Sequence, residues 1–231
     1  MRGRDMAEYE IDGLRMVVPD ALLNPRIAGK LDAGRYEAHE AHAAAMRLRA
    51  GQRVLELGGG IGYVAAICAR VTGARNVTCL EANPALLPVI RANLARNGFA
   101  EVTLVHGAVT GRDSPAAPVA FDGAKSFWAG RIAEGAGTAG AGVEVPALGL
   151  DALLDRVRPQ VVIMDIEGAE QHLFGAPWPA HVRSVMMELH PGRYADTVVQ
   201  CIVDCMSESG LTYDPGPSCG RILCFRRVRG R

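Results

Sequence analysis

Between residues 53 and 226 short apolar runs alternate with longer stretches whose apolar positions recur every three or four residues. The first pattern is that of strands buried on both faces, and the second that of helices lying on a sheet. The runs predict strands at 53–57, 77–81, 102–106, 160–165, 183–189 and 221–226, and the periodic stretches predict helices at 62–72, 84–97, 148–157, 168–174 and 194–209. Asn97-Gly98 and Ser209-Gly210 close two of these helices, because glycine adopts the left-handed conformation that ends a helix at little cost. Strands and helices alternating in this way build an α/β, doubly wound, mostly parallel sheet covered on both faces. Asp214-Pro215-Gly216-Pro217 leaves too little chain for a crossover helix before the last strand, which is therefore expected to run antiparallel.

Two regions fall outside the alternation. Ile11-Asp12-Gly13-Leu14 followed by Met16-Val17-Val18-Pro19 reads as a hairpin, so residues 1–35 form a hairpin or cap segment ahead of a helix from about Tyr36 to Arg49 and a main domain at 36–231. The stretch 111–146 is dense in Gly, Ala and Pro around Phe127-Trp128. An insertion of that length inside a compact domain is expected to be a lid, a pair of short strands or a substrate wall.

A chain of 231 residues suffices for one such domain but not for two full ones. Twenty-five basic side chains balance twenty-five acidic ones, so no global field draws in nucleic acid or a membrane surface. Arg2 and Arg4 at one end, and Arg221, Arg226, Arg227, Arg229 and Arg231 at the other, read as solvated termini. With neither a secretory apolar segment nor a run long enough to span a bilayer, the expected location is the cytoplasm. Cys68 and Cys79 read as small buried apolar residues, and the spacing of Cys201, Cys205, Cys219 and Cys224 contains no paired Cys-x-x-Cys for zinc. Trp128, Trp178 and the hairpin near Val17 offer an apolar contact for a homo-oligomer.

The chemistry begins at Val54-Leu-Glu-Leu-Gly-Gly-Gly-Ile-Gly62, a strand entering a glycine turn, followed by Glu81 at the tip of the next strand. Glycines let the backbone approach a ligand, and an acid about twenty residues further on can accept hydrogen bonds from both hydroxyls of an adenosine ribose. The loop has no Gly-Lys-Ser/Thr for a nucleotide triphosphate and no in-register Gly-x-Gly-x-x-Gly for a dinucleotide. Glu56 inside the loop strand disfavours an anion and suits a cation. The order Glu56-x-Gly58-x-Gly60-x-Gly62 resembles the first motif of S-adenosylmethionine-dependent methyltransferases, whose donor carries a sulfonium and an amino group.

Two later strands also end in ionisable residues. Asp165-Ile-Glu167-Gly-Ala-Glu170 follows one, and Glu188-Leu-His190 closes the next. At the carboxyl ends of parallel strands these groups face the ligand side. His190 is the expected general base, with Glu167 or Asp165 orienting it or the acceptor, while Glu170 reads as a helix-capping acid. Asp165, Glu167, Glu188 and His190 could also converge on a divalent cation, although three oxygens and one nitrogen suit magnesium or manganese only moderately; no metal is assigned.

From about residue 34 to residue 190 the chain resembles the FkbM-type methyltransferases. The matching positions are Gly34-Arg-Tyr-Glu37, the Glu56–Gly62 loop, Glu81-Ala82-Asn83-Pro84, Asn93, Ala108, Val145-Pro146 with Leu150-Asp151, Asp165–Glu170 and Glu188–His190. The resemblance implies a class I, Rossmann-like seven-stranded fold, with the donor contacted by Glu56, Gly58, Gly60, Gly62, Glu81, Ala82, Asn83, Ala108 and Asp165. It also implies O-methylation of a small-molecule hydroxyl on a sugar, polyketide or other natural product. An RNA or protein methyltransferase and a non-catalytic donor-binding module are the competing readings.

Overall fold

The computed structural model describes residues 6–111, 117–122, 131–132 and 143–228. The first elements are a hairpin, β1 (Met6–Ile11) and β2 (Leu14–Pro19). Its turn residues Asp12 and Gly13 have φ of 50° and 74°, the positive values that a two-residue hairpin turn demands. Two helices follow, α1 (Pro25–Asp32) and α2 (Ala38–Arg47). Asn24 caps α1 by accepting the Ile27 amide hydrogen bond at 2.8 Å. That helix is missing from the sequence expectation because Ile27 and Leu31 alone form its buried stripe.

The alternation then runs as expected through β3 (Val54–Leu57), α3 (Tyr63–Thr72), β4 (Val77–Glu81), α4 (Leu87–Arg96) and β5 (Thr103–His106). Five short strands come next: β6 (Ala108–Thr110), β7 (Val119–Asp122), β8 (Arg131–Ile132), β9 (Val143–Val145) and β10 (Ala147–Gly149). β7 pairs antiparallel with both β8 and β9, and β6 pairs parallel with β10. Phe127 and Trp128, singled out in the insertion, lie outside the described residues. The chain closes with α5 (Leu150–Val157), β11 (Val161–Met164), β12 (Ser184–Glu188), α6 (Asp196–Glu208), β13 (Leu211–Tyr213) and β14 (Ile222–Arg227).

The central sheet has the order β13-β14-β12-β11-β3-β4-β5, with β14 antiparallel to both its neighbours. This is the class I methyltransferase arrangement. The chain starts mid-sheet at β3, winds outward to β5 and returns to β11 on the other side, so β3 and β11 flank the point where a doubly wound sheet opens a ligand crevice.

Strand alternation divides the sheet into two packed faces. Val54, Val161, Ile163, Met186 and Cys224 face α2, α3 and α4, whereas Leu55, Leu57, Val162, Met164, Val185, Met187 and Phe225 face α5 and α6. Trp178 joins the second face, stacked on Phe174 at 5.3 Å between ring centroids, and Val17 is buried in the hairpin. Both side chains are thus packed inside the chain itself. Residues 168–174, expected as a helix, make only a 3-10 turn at Ala169–His172. The reason is local: Glu167 and Gly168 have φ of 53° and 107°, and Gly175 and Pro177 interrupt the chain soon afterwards. The six cysteines are all free thiols. Among the described residues no helix is long and apolar enough to cross a membrane.

Three polar ties hold the outer elements to this core. The Asn93 carboxamide accepts from the Val17 amide at 2.7 Å and donates to the Val17 carbonyl at 3.0 Å, and Asn97, one helical turn on, does the same to Arg15 at 2.9 and 2.8 Å. Tyr63 donates its hydroxyl to Asp12 at 2.6 Å, pinning the hairpin turn to α3. Arg47 grips Asp214 through Nε at 2.5 Å and Nη2 at 2.7 Å, tying α2 to the turn between β13 and β14.

The Arg47 guanidinium holds the Asp214 carboxyl below its usual range. The stabilisation is therefore complete above the unfolded value of about 3.9 and is lost as pH falls through the lower folded value. Asp214→Asn should cost about 1–3 kcal/mol at pH 7. Urea midpoints at pH 7 and pH 3 provide the check: the gap between wild type and variant should narrow in acid, and a gap that does not change with pH would rule out the ionic contribution.

Candidate functional site

The carboxyl ends of β3, β4, β11 and β12 open into one cavity of about 830 Å³, walled on the far side by residues of α1, α2 and the segment between them. Gly58, Gly60, Glu81, Ala82, Ala108, Asp165, Glu167 and His190 line it. Glu56, Gly62 and Asn83, also expected at the ligand, do not. Glu56 shares the Val54 side of β3, where it is buried against the Cys79 thiol; burial pushes its carboxyl up to about 8. Gly62 begins α3 against Ile90, and the Asn83 side chain turns back to accept from the Ala85 amide at 3.0 Å.

The glycine loop is fitted to its neighbours to within a single atom. Gly58 has φ of 90°, donates its amide to the Leu80 carbonyl at 2.9 Å, and runs so close to β11 that a β-carbon would lie 1.9 Å from the Asp165 carbonyl oxygen. Across the loop the Gly60 amide donates to Glu81 Oε2 at 3.1 Å, and the Asn83 amide to Oε1 at 2.6 Å. Glu81 is thus held rigidly at the tip of β4, with burial pushing its carboxyl up to about 7 against the pull of these amides. Beside it, Ala82, Leu86, Gly107, Ala108 and Phe121 give the cavity an apolar wall. Phe121 has no signal in the sequence, because nothing there marks which residue of the insertion folds back.

The second half of the cavity is built from strand tips. His190 is buried; its Nδ1 lies 3.1 Å from Glu170 Oε1, and its Nε2 lies 3.4 Å from Asp165 Oδ1 and 3.6 Å from Glu167 Oε2. Tyr194 fixes the loop by accepting the His190 amide hydrogen bond at 2.8 Å. Burial pulls the imidazole pKa down, but the Glu170 hydrogen bond and the charges of Glu170, Glu167 and Glu188 outweigh it and leave the group above its ordinary value.

Glu170 is therefore no helix cap. It is fully buried, accepts the Ile166 amide at 3.3 Å and orients the histidine. Its spacing from Asp165 and Glu167 contains that information only once His190 is known to lie beside it.

Burial and the neighbouring charges of Glu188, Glu37, Glu167 and Glu40 raise the Asp165 carboxyl well above its usual range, and its Oδ1 is buried with no hydrogen-bond partner. Burial and the Glu188 charge likewise push Glu40 up to about 7. Glu188 also pairs with Arg221. Asp165, Glu188 and His190 offer ligand atoms within 4.8 Å of one another and could hold a divalent cation, with Arg221 competing for the Glu188 carboxylate. Chemically, the cavity joins an apolar wall around the Glu81 carboxylate to an acidic end where the His190 imidazole lies, with His39 on the α2 wall.

Of the comparisons with known proteins, the family model falls on the first of those two ends. The model of the protein-L-isoaspartate(D-aspartate) O-methyltransferase family matches residues 34–120, a span that takes in the glycine loop, Glu81 and β6, ends inside β7 and stops short of Asp165. The protein-L-isoaspartate O-methyltransferase 1 of Archaeoglobus fulgidus is 41% identical over 61 residues, 26% of this chain and 28% of that protein. The protein-L-isoaspartate O-methyltransferase of Methanococcoides burtonii is 39% identical over 62 residues, 26% of this chain and 30% of that protein. The chain thus matches less than a third of the length of either relative. Among solved structures, Trm5b from Pyrococcus abyssi superposes with a TM-score of 0.53 at 12% identity, covering 97% of this chain and 56% of that one, a likeness of fold alone. These matches overturn the resemblance to the FkbM-type methyltransferases. A glycine loop followed by an acid at the tip of the next strand recurs in many nucleotide-binding sheets of this kind, so it does not single out that family, and the matches found are to the isoaspartate methyltransferases.

Proposed function

We propose that this protein is an S-adenosylmethionine-dependent methyltransferase. The observation that supports this most is Glu81, a buried carboxylate fixed by the Gly60 and Asn83 amides at the rim of a cavity over the glycine loop. It suits the two hydroxyls of a ribose, and the apolar wall of Ala82, Leu86, Ala108 and Phe121 beside it suits an adenine. When bound, the donor supplies an electrophilic methyl group on a sulfonium. The protein's own part is to hold an acceptor in line with that group, the largest contribution to such a reaction.

Titration calorimetry with S-adenosylhomocysteine tests the reading. Wild type should bind, and Glu81→Gln should bind roughly tenfold to a hundredfold more weakly, the scale of hydrogen bonds to a charged group. No binding by wild type would sink it.

For the acceptor, the relatives favour a protein carboxylate, since their names specify protein L-isoaspartate. One observation favours instead an acceptor that sheds a proton, such as a hydroxyl: His190, its Nδ1 engaged by Glu170 and its Nε2 turned to the cavity. The products differ chemically. Methyl transferred from a labelled donor to a carboxylate is released as methanol in mild alkali, whereas a methyl ether keeps its label. An isoaspartyl peptide and a panel of hydroxyl compounds, assayed this way, separate the two.

A further inference from the structure

We infer that Glu37 anchors the amino-acid end of the donor through its α-ammonium group; this rests on the S-adenosylmethionine reading above. Glu37 occupies the position before α2 where a side chain ordinarily caps the helix, yet it makes no capping hydrogen bond. Its φ is 45°, in the left-handed region that non-glycine residues seldom enter and that persists where the surroundings fix it for another purpose. The side chain is turned to the glycine loop instead. A β-carbon on Gly60 would lie 2.9 Å from Glu37 Oε1 and 2.9 Å from the Tyr36 hydroxyl.

The chemistry of that position calls for a cation. Tyr36 donates its hydroxyl to the Glu37 carboxylate, and Glu40, Glu56 and Glu188 surround it with like charge. Among the described residues no lysine or arginine forms an ion pair with Glu37. Glu37 also lines the cavity, as does Glu81, which holds the Gly60 amide from the other side. A ligand whose ribose meets Glu81 and whose chain crosses Gly60 therefore arrives at Glu37. A carboxylate arriving there would be repelled, while a primary ammonium gains a charge-assisted hydrogen bond.

The test compares two ligands that differ in the amino-acid tail. S-Adenosylhomocysteine has it, and 5′-methylthioadenosine keeps the adenine, ribose and thioether without it. Glu37→Gln preserves shape and removes the charge. It should weaken S-adenosylhomocysteine roughly tenfold to a hundredfold and leave 5′-methylthioadenosine unchanged, as read by calorimetry. Undiminished binding of S-adenosylhomocysteine overturns the assignment, and so does an equal loss for both ligands, which would mark Glu37 as a support for the loop. If wild type binds neither ligand, the donor reading itself fails.

Discussion

Gly58→Ala should destabilise the protein by about 3–5 kcal/mol and abolish donor binding, an effect at the upper end for a single substitution. Two causes add. The φ of 90° is strained for any residue with a β-carbon, and that carbon would stand 1.9 Å from the Asp165 carbonyl oxygen, a backbone atom that cannot swing aside. Gly98 separates the two causes: its φ is 81°, but a β-carbon there meets nothing within 4 Å. Gly98→Ala should therefore cost only about 1–2 kcal/mol, the conformational part alone. Equal shifts in the urea midpoints of the two variants would refute the close approach of the loop to β11.

His190→Ala is expected to lower turnover on a hydroxyl acceptor by roughly 10²–10⁴-fold, the usual worth of a positioned base, with S-adenosylhomocysteine affinity nearly intact. Turnover near the wild-type level would dismiss His190 as the base and side with a carboxylate acceptor, which needs none. The pH profile adds a second readout. A base must be neutral to act, so activity should rise as pH passes through the raised pKa of His190. Glu170→Gln removes a neighbouring negative charge that favours the imidazolium. The pKa then falls, and the rising limb of the profile should move to lower pH.

Much of the frame was legible because it rests on local patterns. The strands around Val54, Val77 and Val161 announce themselves as apolar runs, and the Asp214–Pro217 turn foretells the antiparallel β14. Glu81 and His190 stand where strand-tip reasoning expects them, lining the cavity. Direction within a strand was harder to exploit: Glu56 belongs to the glycine motif, yet alternation with Leu55 and Leu57 sends it into the core beside Cys79. Glu170 shows the other limit. Its partner is twenty positions away, and only the adjacency of β11 and β12 brings the two together. Phe121 and Glu37 depend on how the insertion and the segment before α2 fold over the sheet, which no periodicity encodes.

The clasp of Asn93 and Asn97 on β2 reaches further than the hairpin. A two-stranded ribbon by itself is marginal in water and frays at its free edge. Here the buried amide of Val17 donates to the Asn93 carboxamide of a core helix, so it should exchange with deuterium as slowly as the central strands, not as quickly as a loose end. Asn93 also donates to the Ile61 carbonyl at 2.9 Å, inside the glycine loop. One carboxamide thus couples the ribbon to the loop, and occupancy of the cavity should retard exchange at Val17.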